Sequence, residues 1–127
     1  MATTTTAAMP TKEIAKKLKK LCEKGEFETA QRELFANDAV SIEPSASEDF
    51  EKETHGLKGI LEKGKKWQNM VTESHAMEVS DPIVAGNSFA LTMRMDVTMK
   101  KRGRMDMTEL CIYHVKDGKI VSEQFLM

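Results

Sequence analysis

The residues of this sequence best suited to acid–base chemistry are one histidine and two glutamates on predicted strands. His75, Glu109 and Glu123 each share a strand face with apolar residues, and a lone carboxyl group is rarely buried without a partner. A neighbouring glutamate would orient the imidazole and raise its pKa, and the pair could then move a proton without a cofactor. Alternatively, His75 bonds a backbone carbonyl group and both glutamates lie in water at a rim. The three residues come from separate segments without metal-ligand spacing, so we predict no metal site and no cofactor.

Composition restricts the classes of protein to consider. The chain has 127 residues, of which 40% are hydrophobic and 31% are charged, and its formal net charge is −1. This length suits one domain, and the balanced charge excludes the basic field typical of nucleic-acid-binding proteins. Two basic segments, KKLKK at 16–20 and KKRGR at 100–104, lack interleaved aromatic residues and are interpreted as solvated surface. We therefore predict no nucleic-acid partner.

The first residues and the cysteines bear on the cellular compartment. The segment 1–9 is small and polar and lacks the features of a secretory signal, so it is predicted to be a disordered tail before a single domain at 10–127. No apolar run approaches the roughly 20 residues needed to span a bilayer, so no membrane association is expected. Cys22 and Cys111 show no metal-ligand spacing and are interpreted as free thiols of a cytoplasmic protein.

The elements that must position the candidate residues follow an α+β order. Apolar spacing predicts one helix between Pro10 and Gly25, a second through Leu34 and Phe35, and a third from Gly56. Alternation predicts strands at 38–44, 74–80, 89–99, 105–115 and 120–127, with a polar loop at 44–55. Strands and helices do not alternate regularly, which excludes a parallel nucleotide-binding sheet. The order instead favours helices on one face of a mostly antiparallel sheet.

Three local motifs accompany this order of elements: KGEFETAQRELFANDAVSIEP, HGLKGILEKGKKW and YHVKDGKIVSEQF. Together they resemble the nuclear transport factor 2-like superfamily, which includes ketosteroid isomerase and the SnoaL-like polyketide cyclases. The resemblance implies the cystatin-like fold, a cone-shaped, strongly curved antiparallel sheet packed against three N-terminal helices, with a pocket inside the cone. It also implies a homodimer formed through the outer sheet face, where we expect Thr92, Arg94, Asp96, Thr98, Thr108, Leu110 and Ile112.

The resemblance also suggests a role for Glu43. In ketosteroid isomerase a carboxylate base moves a proton while two donors hold an oxyanion. The position of the base falls at Glu43, whereas the positions of the two donors fall at Leu18 and near Cys111. Leucine donates no hydrogen bond and a thiol is a weak donor, so steroid isomerisation by that mechanism is rejected. The resemblance places Glu43 in the pocket, but alternation with Val40 and Ile42 on the buried face would turn it outward.

Residues on the inward side of the predicted cone would line a ligand pocket. The candidates for ligand contact are Trp67, Met93, Met95, Cys111, Tyr113, Glu123 and Phe125, and the candidates for catalysis are His75, Glu109 and Glu43. Methionine and tryptophan suit a small apolar organic ligand, although both more often fill a core. The sequence thus predicts a small-molecule-binding protein. It is either a cofactor-independent isomerase or cyclase, or a non-catalytic ligand-binding or partner-binding module.

Overall fold

The computed structural model describes residues 9–127, so most of the predicted tail lies outside the described residues. The helices are α1 (Thr11–Glu23), α2 (Phe27–Leu34) and α3 (Leu57–Met70). The strands are β1 (Phe35–Ile42), β2 (Glu53–His55), β3 (Val71–Val79), β4 (Ile83–Ala85), β5 (Ser88–Met99), β6 (Gly103–Lys116) and β7 (Lys119–Leu126). The sequence did not predict β2 or β4, since strands of three residues are too short to show alternation. Within residues 9–127, no helix combines the length and apolar character needed to cross a bilayer.

All seven strands belong to one sheet in the order β2-β1-β7-β6-β5-β3, with β4 paired to β5. Asp117 and Gly118 join β6 to β7 in a tight turn, and both have positive φ, 52° and 76°. The predicted α+β class with three helices is confirmed, but the sheet is mixed because β1 pairs with β7 in parallel. The other neighbouring strands are close in sequence and pair antiparallel, whereas β1 and β7 are distant in sequence, so no hairpin fixes their relative direction.

The helices cover one face of the sheet, which we call the inner face. Ile14 of α1 and Ile60 of α3 are fully buried, and they share one apolar core with Leu91 of β5 and Tyr113 of β6. The Tyr113 ring stacks on Phe89 with the centroids 4.8 Å apart. Burial of this apolar area supplies the main stabilisation of the fold. Further along β5 the inner face borders a cavity.

A bulge in β3 changes which side chains face inward. Ser74 pairs with Val97 and Ala76 pairs with Asp96, so His75 is an additional residue between two regular pairs. Such a residue shifts the alternation of the strand, because two residues then oppose one on the partner strand. The residues before His75 and those after it therefore alternate between the two faces in opposite phase. A strict period of two does not predict this change.

Candidate functional site

A cavity of about 190 Å³ lies between the helices and the inner face of the sheet. Aromatic side chains make up much of its wall: Phe27, Phe35, Phe50, Trp67, Tyr113 and Phe125. Except for Phe50, which lies in the loop between β1 and β2, these residues come from helices and strands that pack on the same core. A concave, mainly apolar cavity with a few converging polar groups is typical of small-molecule sites.

One wall of the cavity carries a chain of hydrogen bonds between charged and polar groups. The ammonium group of Lys63 on α3 donates to Glu43 Oε2 at 2.8 Å and to Ser41 Oγ at 2.7 Å. Ser41, which is fully buried, in turn donates to Glu123 Oε2 at 2.7 Å. Residues from α3, β1 and β7 thereby form one network, and two of its members are carboxyl groups close to a single cation.

Glu109 of β6 lies on the inner face, opposite Met93 of β5, and lines the cavity. Burial raises its pKa to about 7, and repulsion from the carboxylates of Glu43 and Glu123 acts in the same direction. Lys63 acts in the opposite direction, but the shift stays upward. A carboxyl group with a pKa near neutrality can both accept and return a proton at physiological pH.

Glu123 of β7 is only 4% exposed and also lines the cavity. Burial raises its pKa to about 7, although the hydrogen bond from Ser41 and the charge of Lys63 favour the ionised form. Because Glu109 and Glu123 repel one another when both are ionised, their protons are lost in coupled steps that belong to the pair. The cavity therefore changes its proton content around pH 7.

His75 does not join these carboxyl groups. Its Nε2 atom is hydrogen-bonded to Thr98 Oγ1 at 2.7 Å, and Thr98 alternates on β5 with the residues of the inner face. The side chain therefore lies on the outer face of the sheet. The prediction that His75 and Glu109 face a common ligand is wrong, because the bulge breaks the alternation that placed His75 beside Met77 and Val79. For the same reason, His75 lies on the opposite face of the sheet from Glu109 and Glu123. The three residues that were considered as metal ligands therefore do not come together.

Glu43 faces the cavity, as the family resemblance implied and contrary to the alternation of apolar residues in β1. Ala39 and Ser41 are fully buried and Glu43 lines the cavity, so these three residues form the inward series of β1. Val40 and Ile42 alternate with them on the other face, and both are only partly buried. Polar residues face inward here because the network with Lys63 and Glu123 satisfies them. Val40 and Ile42 therefore lie on the outer face.

The remaining predicted ligand contacts divide into two groups. The cavity is lined by Trp67, Met93, Met95, Tyr113, Glu123 and Phe125, whereas Cys111 is fully buried in the apolar core and is not part of the lining. Cys22 of α1 lines the cavity instead.

Burial raises the pKa of the Cys22 thiol to about 12 and that of Cys111 further still. Both cysteines stay protonated near neutral pH, so neither provides a reactive thiolate.

The sequence interpretation missed Lys63 and Ser41. Lys63 follows Ile60 by three positions and precedes Trp67 by four, so it lies at the edge of the apolar stripe of α3. Helical periodicity could have placed its Nζ atom near the sheet. Ser41 alternates with Val40 and Ile42, and a serine between two β-branched residues gives no signal of burial.

The loop at 44–52 contributes Phe50 to the cavity lining. The ammonium group of Lys66 donates to the backbone oxygen of Asp49 and lies 5.2 Å from the centroid of the Phe50 ring. Arg102 approaches the Asp49 carboxylate at 3.7 Å from the hairpin between β5 and β6. Two cations from separate elements thus hold this polar loop beside the cavity.

Comparison with known proteins gives a consistent family. Residues 9–127 match the sequence profile of the SnoaL-like domain, and no curated protein matches the chain. A solved structure from Mesorhizobium loti, assigned to the SnoaL-like polyketide cyclases, is 37% identical, with 94% of this chain and 100% of that chain covered and a TM-score of 0.85.

Two further structures share the fold at lower identity. IdmH from Streptomyces antibioticus, assigned as a polyketide cyclase, is 22% identical over 93% of this chain and 91% of its own, with a TM-score of 0.70. A protein of unknown function with a cystatin-like fold from Xanthomonas campestris is 18% identical over 93% of this chain and 90% of its own, with a TM-score of 0.79. These likenesses show the cystatin-like architecture, which was predicted from the sequence.

Proposed function

Because this chain belongs to the SnoaL-like domain family, we propose that it binds a small organic ligand in the cavity and moves a proton on that ligand without a cofactor. The observation that carries this proposal is the pair of cavity carboxyl groups, Glu109 and Glu123, whose pKa values are raised to about 7. Groups poised near neutrality are what a proton-transfer enzyme requires. The assignment of the Mesorhizobium loti relative to the polyketide cyclases supports an isomerase or cyclase.

Glu109 is the best candidate for the general acid and base. Its carboxyl group lies at the cavity wall and is not hydrogen-bonded to Lys63. By contrast, Glu43 accepts a hydrogen bond from Lys63 at 2.8 Å, and Glu123 accepts one from Ser41 at 2.7 Å. The ionised group would take a proton from a carbon atom next to a ligand carbonyl group. The same group, now protonated, would return the proton to that carbon or to a conjugated one.

The size of the cavity limits the ligand. An engineered protein cavity of about 150 Å³ holds benzene, so the 190 Å³ available here suits one or two fused rings. Aromatic side chains on opposite sides of this space, Phe27 and Trp67 from the helices and Phe125 from the sheet, favour a flat molecule. A bicyclic ketone fused to a benzene ring, such as 2-tetralone, has the required size and exchangeable hydrogens next to its carbonyl group.

We expect 2-tetralone to bind and to exchange its hydrogen faster in the presence of the protein. The chain has a single tryptophan, Trp67, so a change in its fluorescence on titration would report occupancy of the cavity. Proton NMR in D₂O would follow loss of the signal next to the carbonyl group. The exchange rate should rise as the pH increases through about 7, because the general base must be ionised and the pKa of Glu109 is about 7. Binding without accelerated exchange would contradict the catalytic role.

A second candidate function is ligand binding without chemistry. It is favoured by the position of His75 on the outer face, which removes the imidazole from the cavity. The same experiment separates the two candidates. A fluorescence change with exchange at the rate of buffer alone would identify a binding module, and the absence of both signals with small apolar ketones would favour a partner-binding module.

We further propose that two copies pair through the outer face of the sheet. Leu110 and Leu126 lie opposite one another on β6 and β7 and are each 40% exposed. Around them, Arg94 forms two hydrogen bonds with Asp106, and Arg104 forms two with Asp96. Exposed apolar residues bordered by polar groups are typical of a protein interface. A two-fold dimer would bury the same patch of both subunits.

Leu110→Arg should dissociate this dimer, because an unpaired buried charge costs several kcal/mol. Sedimentation velocity over a range of concentrations would measure the effect. Thr29→Arg, on an exposed position of α2, introduces the same charge away from the sheet and should leave the dimer intact. A wild-type protein that sediments as a monomer of 14.3 kDa at every concentration would refute the dimer.

A further inference from the structure

Lys63 lies where a lysine is seldom found, in the wall of a mainly apolar cavity with its side chain 15% exposed. Within the described part of the chain it is the only cation among the lining residues. Its Nζ atom is held by Ser41 and Glu43 and lies 5.5 Å from the centroid of the Phe125 ring. These contacts fix the position of the ammonium group relative to the cavity.

The ammonium group retains one donor for a ligand. A lysine has three N–H donors, and Ser41 and Glu43 accept two of them. For residues 9–127, the structure gives Nζ no further hydrogen-bond acceptor. The third N–H is therefore available to an oxygen atom in the cavity. A hydrogen bond from a cation to an anionic oxygen is stronger than one between neutral groups, and low-dielectric surroundings strengthen it further.

We propose that Lys63 stabilises the oxyanion formed when a small ketone or 1,3-diketone loses a proton in this cavity, an inference that rests on the proton-transfer function proposed above. The carboxylate of Glu109 takes the proton from the carbon next to the carbonyl group, and the C–H bonding pair forms a carbon–carbon double bond. The carbonyl π pair moves to oxygen, where Lys63 donates a hydrogen bond. Return of the proton from Glu109 to carbon reverses the electron movement and restores the carbonyl group.

In this role Lys63 would supply a hydrogen-bond donor that the residues at the family's donor positions do not provide. The positions that resemble the oxyanion donors of ketosteroid isomerase hold Leu18 and, nearby, Cys111, which cannot supply two good donors. Lys63 approaches the cavity from α3 and places a full positive charge there. The other charged groups around it are the carboxyl groups of Glu43, Glu109 and Glu123. Glu109 is neutral once it has taken the proton from the ligand, and Glu123 mostly carries a proton below its pKa of about 7, so neither group then repels the anionic oxygen.

The test uses 4-nitrophenol, whose ionised form resembles an enolate and absorbs at longer wavelength than the neutral form. We expect the phenol bound to wild-type protein to ionise at a lower pH than the free phenol, which absorbance would record. In Lys63→Met, affinity for the phenolate should fall by about 10- to 100-fold, the usual effect of losing a hydrogen bond to a charged group. The uncharged ether 4-nitroanisole should bind both proteins equally well, and exchange into 2-tetralone should slow through kcat more than through KM.

Lys65→Met is the matched control, since Lys65 is an exposed residue of the same helix outside the cavity lining, and it should bind both probes like wild type. If Lys63→Met does not fold, the ionisation of 4-nitrophenol on wild-type protein still decides the matter. A bound phenol that ionises at a higher pH than the free one would overturn the role of Lys63 and leave the proton-transfer function standing. If wild-type protein bound neither probe, the ligand-binding function itself would fail, and this inference with it.

Discussion

Glu109→Gln should slow hydrogen exchange into 2-tetralone by about 10²- to 10⁴-fold, the range that a positioned general base contributes. Glutamine has nearly the same shape as a protonated glutamate but cannot accept the proton. Because the neutral form of Glu109 is already well populated near pH 7, the substitution should leave the fold and the Trp67 fluorescence response to ligand almost unchanged. The loss should therefore appear in kcat and not in the affinity for the ketone.

The matched control is Glu62→Gln, on an exposed position of α3 outside the cavity lining, for which we expect wild-type exchange. The dependence of the rate on pH gives an independent check. The rise through about pH 7 should disappear in Glu109→Gln, since the group responsible for it is gone. Exchange at the wild-type rate in this variant would assign the base to Glu43 or Glu123.

Glu123→Gln should stabilise the folded protein at pH 8 and have little effect at pH 5. In the folded state Glu123 keeps its proton up to about pH 7, whereas in the unfolded chain it ionises at its ordinary pKa of 4.5. Between these values the folded state binds more protons than the unfolded state, so the free energy of unfolding falls as the pH rises. The difference corresponds to about 3 kcal/mol at most, and the amide removes this loss because it carries no charge.

Urea unfolding at both pH values would measure this effect. Glu51→Gln, on an exposed position of the loop at 44–52, should change the stability little at either pH. A Glu123→Gln variant less stable than wild type at pH 8 would contradict the expectation. It would mean that the ionised carboxylate gains more from Ser41 and Lys63 than it loses through burial.

The sequence alone predicted the elements in which buried residues recur at a regular spacing. The helices were predicted close to their observed positions because each has one apolar face, as Ile14, Leu18 and Cys22 illustrate in α1. The hairpin at Asp117 and Gly118 was predictable because these residue types readily adopt the positive φ that the turn needs. The parallel pairing of β1 with β7 was not, since it depends on contacts between distant segments.

The candidate site was only partly predictable because two local irregularities change the direction of side chains. His75 is itself the additional residue of a bulge, and the bulge places its side chain on the outer face. No residue type in 71–79 marks that position. In β1 the apolar residues Val40 and Ile42 face outward, so alternation pointed to the wrong side. Glu109, Tyr113 and Phe125 were placed on the inner face because β6 pairs with β5 without a shift in register, and the residues of β7 from Ser122 to Leu126 pair regularly with β6.

The parallel pair of β1 and β7 determines when during protein synthesis the site can form. The hydrogen bond between Ser41 and Glu123 joins residues 82 positions apart, and one edge of β1 has no partner until β7, which is translated later, is available. Contacts of such long sequence separation slow folding, because a large loop must close before they contribute. The nascent chain can form its helices and the β5–β6 hairpin early. One edge of β1 stays unpaired and the mainly apolar cavity stays open until β7 emerges from the ribosome, and during that interval the chain is most exposed to chaperones and to aggregation.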